Sequence, residues 1–267
     1  MSLHVSETGA PSASSIIFLH GSGTSSWMWT AQVADLSDFH CLTIDLPGHG
    51  KSNHIPWVSL ADTADQVANI IKTRATSGRA YGVGLSLGAY VVLELLSRTP
   101  ERIERAVVSG VTAGPLPDSR LMRLQVQLMS YVLKVRWVVK QQAKMLHIPD
   151  DALDAYMQSA RAMSRASFVR IFDEISAFRL PEALRQVDVP LLVTAGGEEA
   201  QLVLDAVTKI QRVMPNAEGR LAPGLHHGWN GENPDLFSAM LRAWFTDAPL
   251  PDALQPPAPA LPGAEQA

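Results

Sequence analysis

A single cysteine, Cys41, stands in 267 residues, so neither an internal disulfide nor a cysteine-rich metal site can form. Basic residues are also scarce. Lys and Arg total 22 against 26 for Asp and Glu, and the net charge of −4 offers no cationic surface to neutralise nucleic-acid phosphates or an anionic lipid layer. Gly, Ser or a charge interrupts every apolar run well before the roughly 18 residues a membrane span requires. Residues 1–15 lack the basic start and apolar run of a signal peptide. No repeat recurs at the period of a solenoid or propeller. The histidines show no H-x-x-x-H spacing of the kind that holds a metal. These absences lead us to expect a soluble, cytoplasmic protein with no metal and no cofactor. It would act on a small molecule, without a nucleic-acid partner or a membrane span.

What the chain does contain is 46% apolar and 18% charged residues, enough to bury one sizeable core. Short apolar runs at 16–19, 41–44, 81–85, 106–108 and 191–195 read as buried strands. Between them lie helical patterns, such as Leu60, Ala64, Val67, Ile70 and Ile71, or Leu87, Val91, Leu95 and Leu96. The alternation predicts an α/β fold: a mostly parallel central sheet with helices on both faces. From about 112 to 181 the strand signal gives way to helical sequence rich in Met and aromatics, among them Met122, Met129, Met145, Met157, Met163, Tyr131, Trp137, Phe168, Phe172 and Phe178. This reads as a helical lid whose apolar content favours an apolar substrate group. Its Arg120, Arg123, Lys134, Arg136, Lys140 and Lys144 read as a solvated face. Residues 1–14 are expected to be a flexible N-terminus, 15–247 the domain, and the proline-rich stretch 248–267 a flexible tail.

Gly84-Leu85-Ser86-Leu87-Gly88 follows an apolar strand and opens a helix, the setting of a nucleophile elbow. In such a turn a serine hydroxyl stands clear of the sheet, and glycine two residues to either side removes a collision with the neighbouring strand and helix. His20-Gly21-Ser22-Gly23, directly after another strand, is where an oxyanion hole would be built. The backbone N–H groups of Ser22 and Leu87 are its candidate donors.

Together these segments resemble the α/β-hydrolase family, in particular its small serine hydrolases with a helical lid, from about residue 16 to residue 245. The resemblance extends to Asp45-Leu46-Pro47-Gly48-His49-Gly50-Lys51-Ser52, which matches a structural turn of the family. It extends also to Pro223-Gly224-Leu225-His226-His227 with Trp229, Glu232, Asn233 and Pro234, which matches the segment bearing the catalytic histidine. It implies Ser86 as nucleophile and His227 as base, with His226 on the rim and His49 in a turn. The family's acid usually follows the strand that reads 191–195 here. Aligning Gly196 with the family's glycine puts Glu199 at that position, with Glu198 and then Asp205 as alternatives. The implied activity is hydrolysis of an ester, thioester or lactone through an acyl-enzyme. The same triad serves C–C bond hydrolases and cofactor-free perhydrolases, and some members are non-catalytic receptors.

Overall fold

The computed structural model describes residues 2–117, 126–128, 130–132 and 135–258. Among these residues seven strands form one sheet in the order β1-β3-β2-β4-β5-β6-β7. They are β1 (Val5–Thr8), β2 (Ser15–Leu19), β3 (His40–Ile44), β4 (Ala80–Leu85), β5 (Ile103–Ser109), β6 (Leu191–Gly196) and β7 (Ala217–Ala222). Only β1 runs antiparallel, with Val5 opposite Ile44; the other neighbours pair in parallel. All five runs foreseen in the sequence are inner strands, and β2, β3 and β6 are buried along their whole length. Such strands are covered by helices on both sides and so read as continuous apolar runs.

One face carries α2 (Leu60–Arg74), α3 (Leu87–Arg98) and α7 (Gln201–Val213). Their Val67, Ile71, Val91, Leu95 and Ile210 join one core cluster with alternate residues of the strands. The other face carries α1 (Thr30–Asp35) and α9 (Pro234–Phe245). There Phe237, Met240 and Leu241 pack with Trp29, Phe18 and Ile16. The caps follow from the sequence: Ser59 Oγ accepts from Asp62 N–H at the start of α2, and Asn233 accepts from Leu236 N–H at the start of α9, where Pro234 occupies the first turn.

Between β5 and β6 the chain forms α4 (Arg136–Met145), α5 (Leu153–Ala162) and α6 (Arg165–Ser176). These lid helices have a small core of their own, with Val139, Ala143, Tyr156 and Ala160. They are tied to the domain by hydrogen bonds. Trp57 Nε1 donates to Glu174 Oε2 at 2.9 Å, Leu60 N–H to Glu174 Oε1 at 2.7 Å, and Trp27 Nε1 to Ser159 Oγ at 2.9 Å. Arg136, Lys140 and Lys144 lie on the solvent side. Trp137 and Met145 are exposed as well, 69% and 79%, so they face water rather than a substrate. Met122, Met129, Arg120, Arg123 and Lys134 lie outside the described residues.

Both termini depart from the expectation of flexibility. Val5–Thr8 is a paired strand, and Leu3 before it is buried. At the other end, Leu254 is buried and Gln255 forms a bridge with Leu221 of β7, through Leu221 N–H to Gln255 O at 2.7 Å and Gln255 N–H to Leu221 O at 2.9 Å. Leucine side chains scattered among the prolines provide the apolar surface that composition alone understated. Residues 259–267 lie outside the described set. No helix among the described residues is long and apolar enough to cross a membrane.

Candidate active site

The loops that leave the carboxyl ends of the parallel strands converge on one region, the usual place for a ligand in such a sheet. Ser86 sits between β4 and α3 with φ 53° and ψ −117°, a conformation that costs a non-glycine residue about 1–3 kcal/mol and persists only where surrounding structure enforces it. The enforcement is visible. Ser86 N–H donates to Ser109 O at 2.8 Å and Gly88 N–H to His20 O at 3.1 Å. A Cβ on Gly88 would collide with the backbone of Leu19, so α3 can approach β2 this closely only with glycine there.

Residues 20–24 lie against the elbow: a Cβ on Gly21 would stand 3.6 Å from Ser86 Cβ. Leu46 N–H donates to His20 Nε2 at 3.0 Å, which leaves Nδ1 as the protonated nitrogen; it donates to Gly21 O at 2.8 Å. Thr24 Oγ1 donates to the same carbonyl at 2.7 Å. A peptide is planar, so holding the Gly21 carbonyl also fixes the Ser22 N–H on the opposite side of that plane. Burial lowers the His20 pKa despite opposing contributions from Gly21 and Asp45, and the ring stays neutral in this role. Ser22 N–H and Leu87 N–H have no acceptor among the described residues. His49, the turn residue, is buried and donates from Nδ1 to Pro47 O at 2.9 Å; burial and His20 push its pKa down to about 3. Asp45 shapes this turn by accepting from Ser26 N–H and Lys51 N–H, each at 2.8 Å.

His227 and Glu199 meet directly. His227 Nδ1 lies 2.6 Å from Glu199 Oε2, and the Glu199 side chain is only 4% exposed. Its other oxygen, Oε1, accepts from Gly196 N–H at 3.3 Å. Burial disfavours the charged imidazole, but the hydrogen bond and charge of Glu199 outweigh it, so the His227 pKa is held above its ordinary value. Gly110, at φ +70°, makes room for the ring, since a Cβ there would stand 2.6 Å from His227 Cε1. The loop beyond is anchored by Trp229, fully buried, whose Nε1 donates to Ser109 Oγ at 2.9 Å, and by Asn230, whose Nδ2 donates to Met28 O at 3.0 Å. Ser86 and His227 line the same cavity without a hydrogen bond between them, as is common before substrate binds.

The alternatives for the acid lie elsewhere. Glu198 is exposed. Asp205 is exposed on α7 and accepts from Gln201 Nε2 at 2.8 Å. His226 turns to a different carboxylate, with Nδ1 2.9 Å from Glu232 Oε2, and its ring stacks on His147 of the lid. The spacing of the histidines along the chain offers no sign of a metal-ligating group. Folding nevertheless brings His147, His226 and Glu232 together with one donor atom each, all within 4.8 Å of one another. The roles of His20, Thr24, Gly110 and Trp229 also escaped the sequence reading; of these only His20 carried a signal, in its His-Gly turn.

Ser86 and His227 open onto a cavity of about 600 Å³, within the range of small-molecule sites. Its described walls include Trp27, Met28, Tyr156, Met163, Phe168, Phe172 and Ile175. Among the described lining residues the only acid is Asp151, and there is no lysine or arginine.

A family model described as the alpha/beta hydrolase family matches residues 16–240. A carboxylesterase of Bacillus subtilis is 25% identical over 250 residues, covering 88% of this chain and 81% of that protein. A 2-hydroxy-6-oxononadienedioate/2-hydroxy-6-oxononatrienedioate hydrolase of Paraburkholderia phymatum is 25% identical over 263 residues, covering 90% and 89%. The crystal structure of the enol-lactonase from Burkholderia xenovorans superposes with a TM-score of 0.79 at 21% identity, covering 91% of this chain and 96% of that one.

Proposed function

Because the chain belongs to the alpha/beta hydrolase family, we propose that it is a serine hydrolase that cleaves esters of uncharged, largely apolar substrates through an acyl-enzyme. The observation that carries this reading is the Glu199–His227 pair, 2.6 Å apart, on the same cavity as a serine held in a strained elbow. With Nδ1 engaged by Glu199, Nε2 is the ring nitrogen free to serve Ser86.

Ser86 Oγ attacks the ester carbonyl carbon as its proton passes to His227 Nε2. The carbonyl electron pair moves onto oxygen, which the Ser22 and Leu87 N–H groups stabilise by a few kcal/mol. Glu199 stabilises the imidazolium so formed without taking a proton itself. Collapse of the tetrahedral intermediate breaks the ester C–O bond, and the departing alcohol takes the proton from His227. Water then repeats the attack on acyl-Ser86, with His227 again as base and then acid, and releases the carboxylic acid.

The apolar walls support an aliphatic or aromatic acyl or alcohol group. The C–C hydrolase reading, which the dienedioate relative represents, fits less well, because a doubly negative substrate needs a cation and the described walls offer none. A cofactor-free perhydrolase would use the same triad. A receptor would dispense with the nucleophile–base constellation present here. The test is labelling by a fluorophosphonate with mass-spectrometric location of the adduct, together with kcat/KM for p-nitrophenyl esters of neutral and of ω-carboxylated acids. The reading expects an adduct on Ser86 and a preference for the neutral series. No adduct, or peracid formation from a carboxylic acid and hydrogen peroxide or turnover of dienedioate substrates in place of ester hydrolysis, overturns it.

A further inference from the structure

We propose that His147, His226 and Glu232 form a binding site for a divalent transition-metal ion of the zinc type, bridging the lid to the loop that carries His227. The three residues come from separate segments: His147 follows α4, His226 precedes His227, and Glu232 ends the short helix α8 (Trp229–Glu232). Glu232 holds His226 at two points, accepting from its backbone N–H at 3.1 Å through Oε1 and lying 2.9 Å from Nδ1 through Oε2. The His147 ring lies over the His226 ring with centroids 3.6 Å apart and planes 14° from parallel.

Two imidazoles and one carboxylate are the donor set of a borderline cation such as Zn²⁺, whereas Ca²⁺ and Mg²⁺ select all-oxygen sites. Zinc bonds of about 2.0–2.2 Å in a tetrahedron place neighbouring donors roughly 3.3–3.5 Å apart. The donors here already lie within 4.8 Å of one another, so the site closes when the rings turn out of their stack and draw in by an ångström or so. The imidazoles have the freedom to turn, because His147 is exposed and the His226 side chain is 37% exposed. Water completes the fourth position.

A second observation points the same way. His147 adopts φ 52° immediately after α4, where its N–H bonds to Lys144 O and the next N–H to Ala143 O. This left-handed position after a helix is normally filled by glycine. A histidine tolerates it at some cost, and here that backbone delivers the ring onto His226. The lid is already close at this point, since a Cβ on Gly228 would stand 3.2 Å from Leu146 O. The ion would therefore hold a contact that exists, beside Leu146, Ile148 and Gly228 of the cavity wall.

The experiment uses tag-free, chelator-stripped protein at near-neutral pH, titrated with ZnCl₂ in a calorimeter and followed by thermal unfolding with and without zinc. One ion per chain and a raised Tm are expected. His147→Gly suits the left-handed backbone and so keeps the fold, yet should weaken zinc binding about tenfold or more, as should Glu232→Gln. His227→Ala should bind zinc like the wild type. Absence of binding by the wild type overturns the site and leaves a ring stack only. Binding that survives His147→Gly but is lost in His227→Ala also overturns it, by moving the ion to the triad.

Discussion

Replacing Glu199 by glutamine keeps the size of the side chain and deletes its charge at a position 2.6 Å from His227 Nδ1. A hydrogen bond to a charged partner contributes about 1.5–3 kcal/mol. A third of the His227 side chain, 33%, is open to water, so screening favours the lower half of that range. About 1.5–2 kcal/mol less stabilisation of the imidazolium slows the reaction roughly 10- to 30-fold. A second penalty adds to this. The glutamine amide donates a hydrogen bond to Nδ1 and so favours the tautomer with its proton on Nε2, which is no base toward Ser86. The combined fall in kcat/KM should be about 10²-fold or more. The pH profile moves too. His227 must be neutral to act, so the rate rises as pH climbs through its pKa. Glu199 holds that pKa up against burial. With the charge gone, burial remains, and the midpoint should move to lower pH. Measuring kcat/KM for a p-nitrophenyl ester across pH, for wild type, Glu199→Gln and Glu198→Gln, reads both effects. Glu198 is exposed, and its variant should match the wild type. If Glu198→Gln lowers the rate and shifts the midpoint while Glu199→Gln does neither, the acid has been misassigned.

Ser86→Gly should abolish ester hydrolysis and raise Tm by roughly 2 °C or more, because glycine relieves the φ 53° strain and about 1 kcal/mol corresponds to 2–4 °C in a domain of this size; calorimetry showing a lower Tm would refute the strain argument. Gly88→Ala should destabilise by about 3 kcal/mol or more, since the new Cβ meets the Leu19 backbone with no room to shift; urea unfolding with an unchanged midpoint would contradict it. Ending the chain after Ala248 removes the buried Leu254 and two backbone hydrogen bonds, together about 3 kcal/mol, so Tm should fall by roughly 6 °C or more. An unaltered Tm for that truncation would mean the segment contributes nothing.

The sheet was legible from its centre outward. The five runs read as strands are all inner strands, where both faces are covered and most residues are apolar. The two strands that went unread, β1 (Val-Ser-Glu-Thr) and β7 (Ala-Glu-Gly-Arg-Leu-Ala), are the edges. Partly exposed edge strands carry polar residues and lose the apolar run that betrays their neighbours. The site was legible where chemistry demands residues adjacent in sequence, as at Gly84–Gly88 and Pro223–His227. It was not legible where separate loops converge. Nothing in the spacing of residues 147, 226 and 232 announces a cluster, and Gly110 shows its purpose only beside the His227 ring. The tail misled because its prolines dominate the composition, while docking depends on Leu254, with Leu250 packed beside it, and on one backbone pair.

That pair sits at the free side of β7, where a strand otherwise presents a row of open N–H and C=O groups to any extended chain that drifts past. Gln255 occupies the row with a single antiparallel bridge to Leu221. The next two residues are Pro256 and Pro257, which have no N–H to continue a ladder. The covering segment thus stops growing as soon as it has attached and offers no fresh edge of its own. Such a terminator keeps one molecule's sheet from extending into the next, so the proline-rich end of this chain bears on colloidal behaviour. Removing it should expose the molecule to strand-by-strand self-association at concentrations where the intact chain stays dispersed.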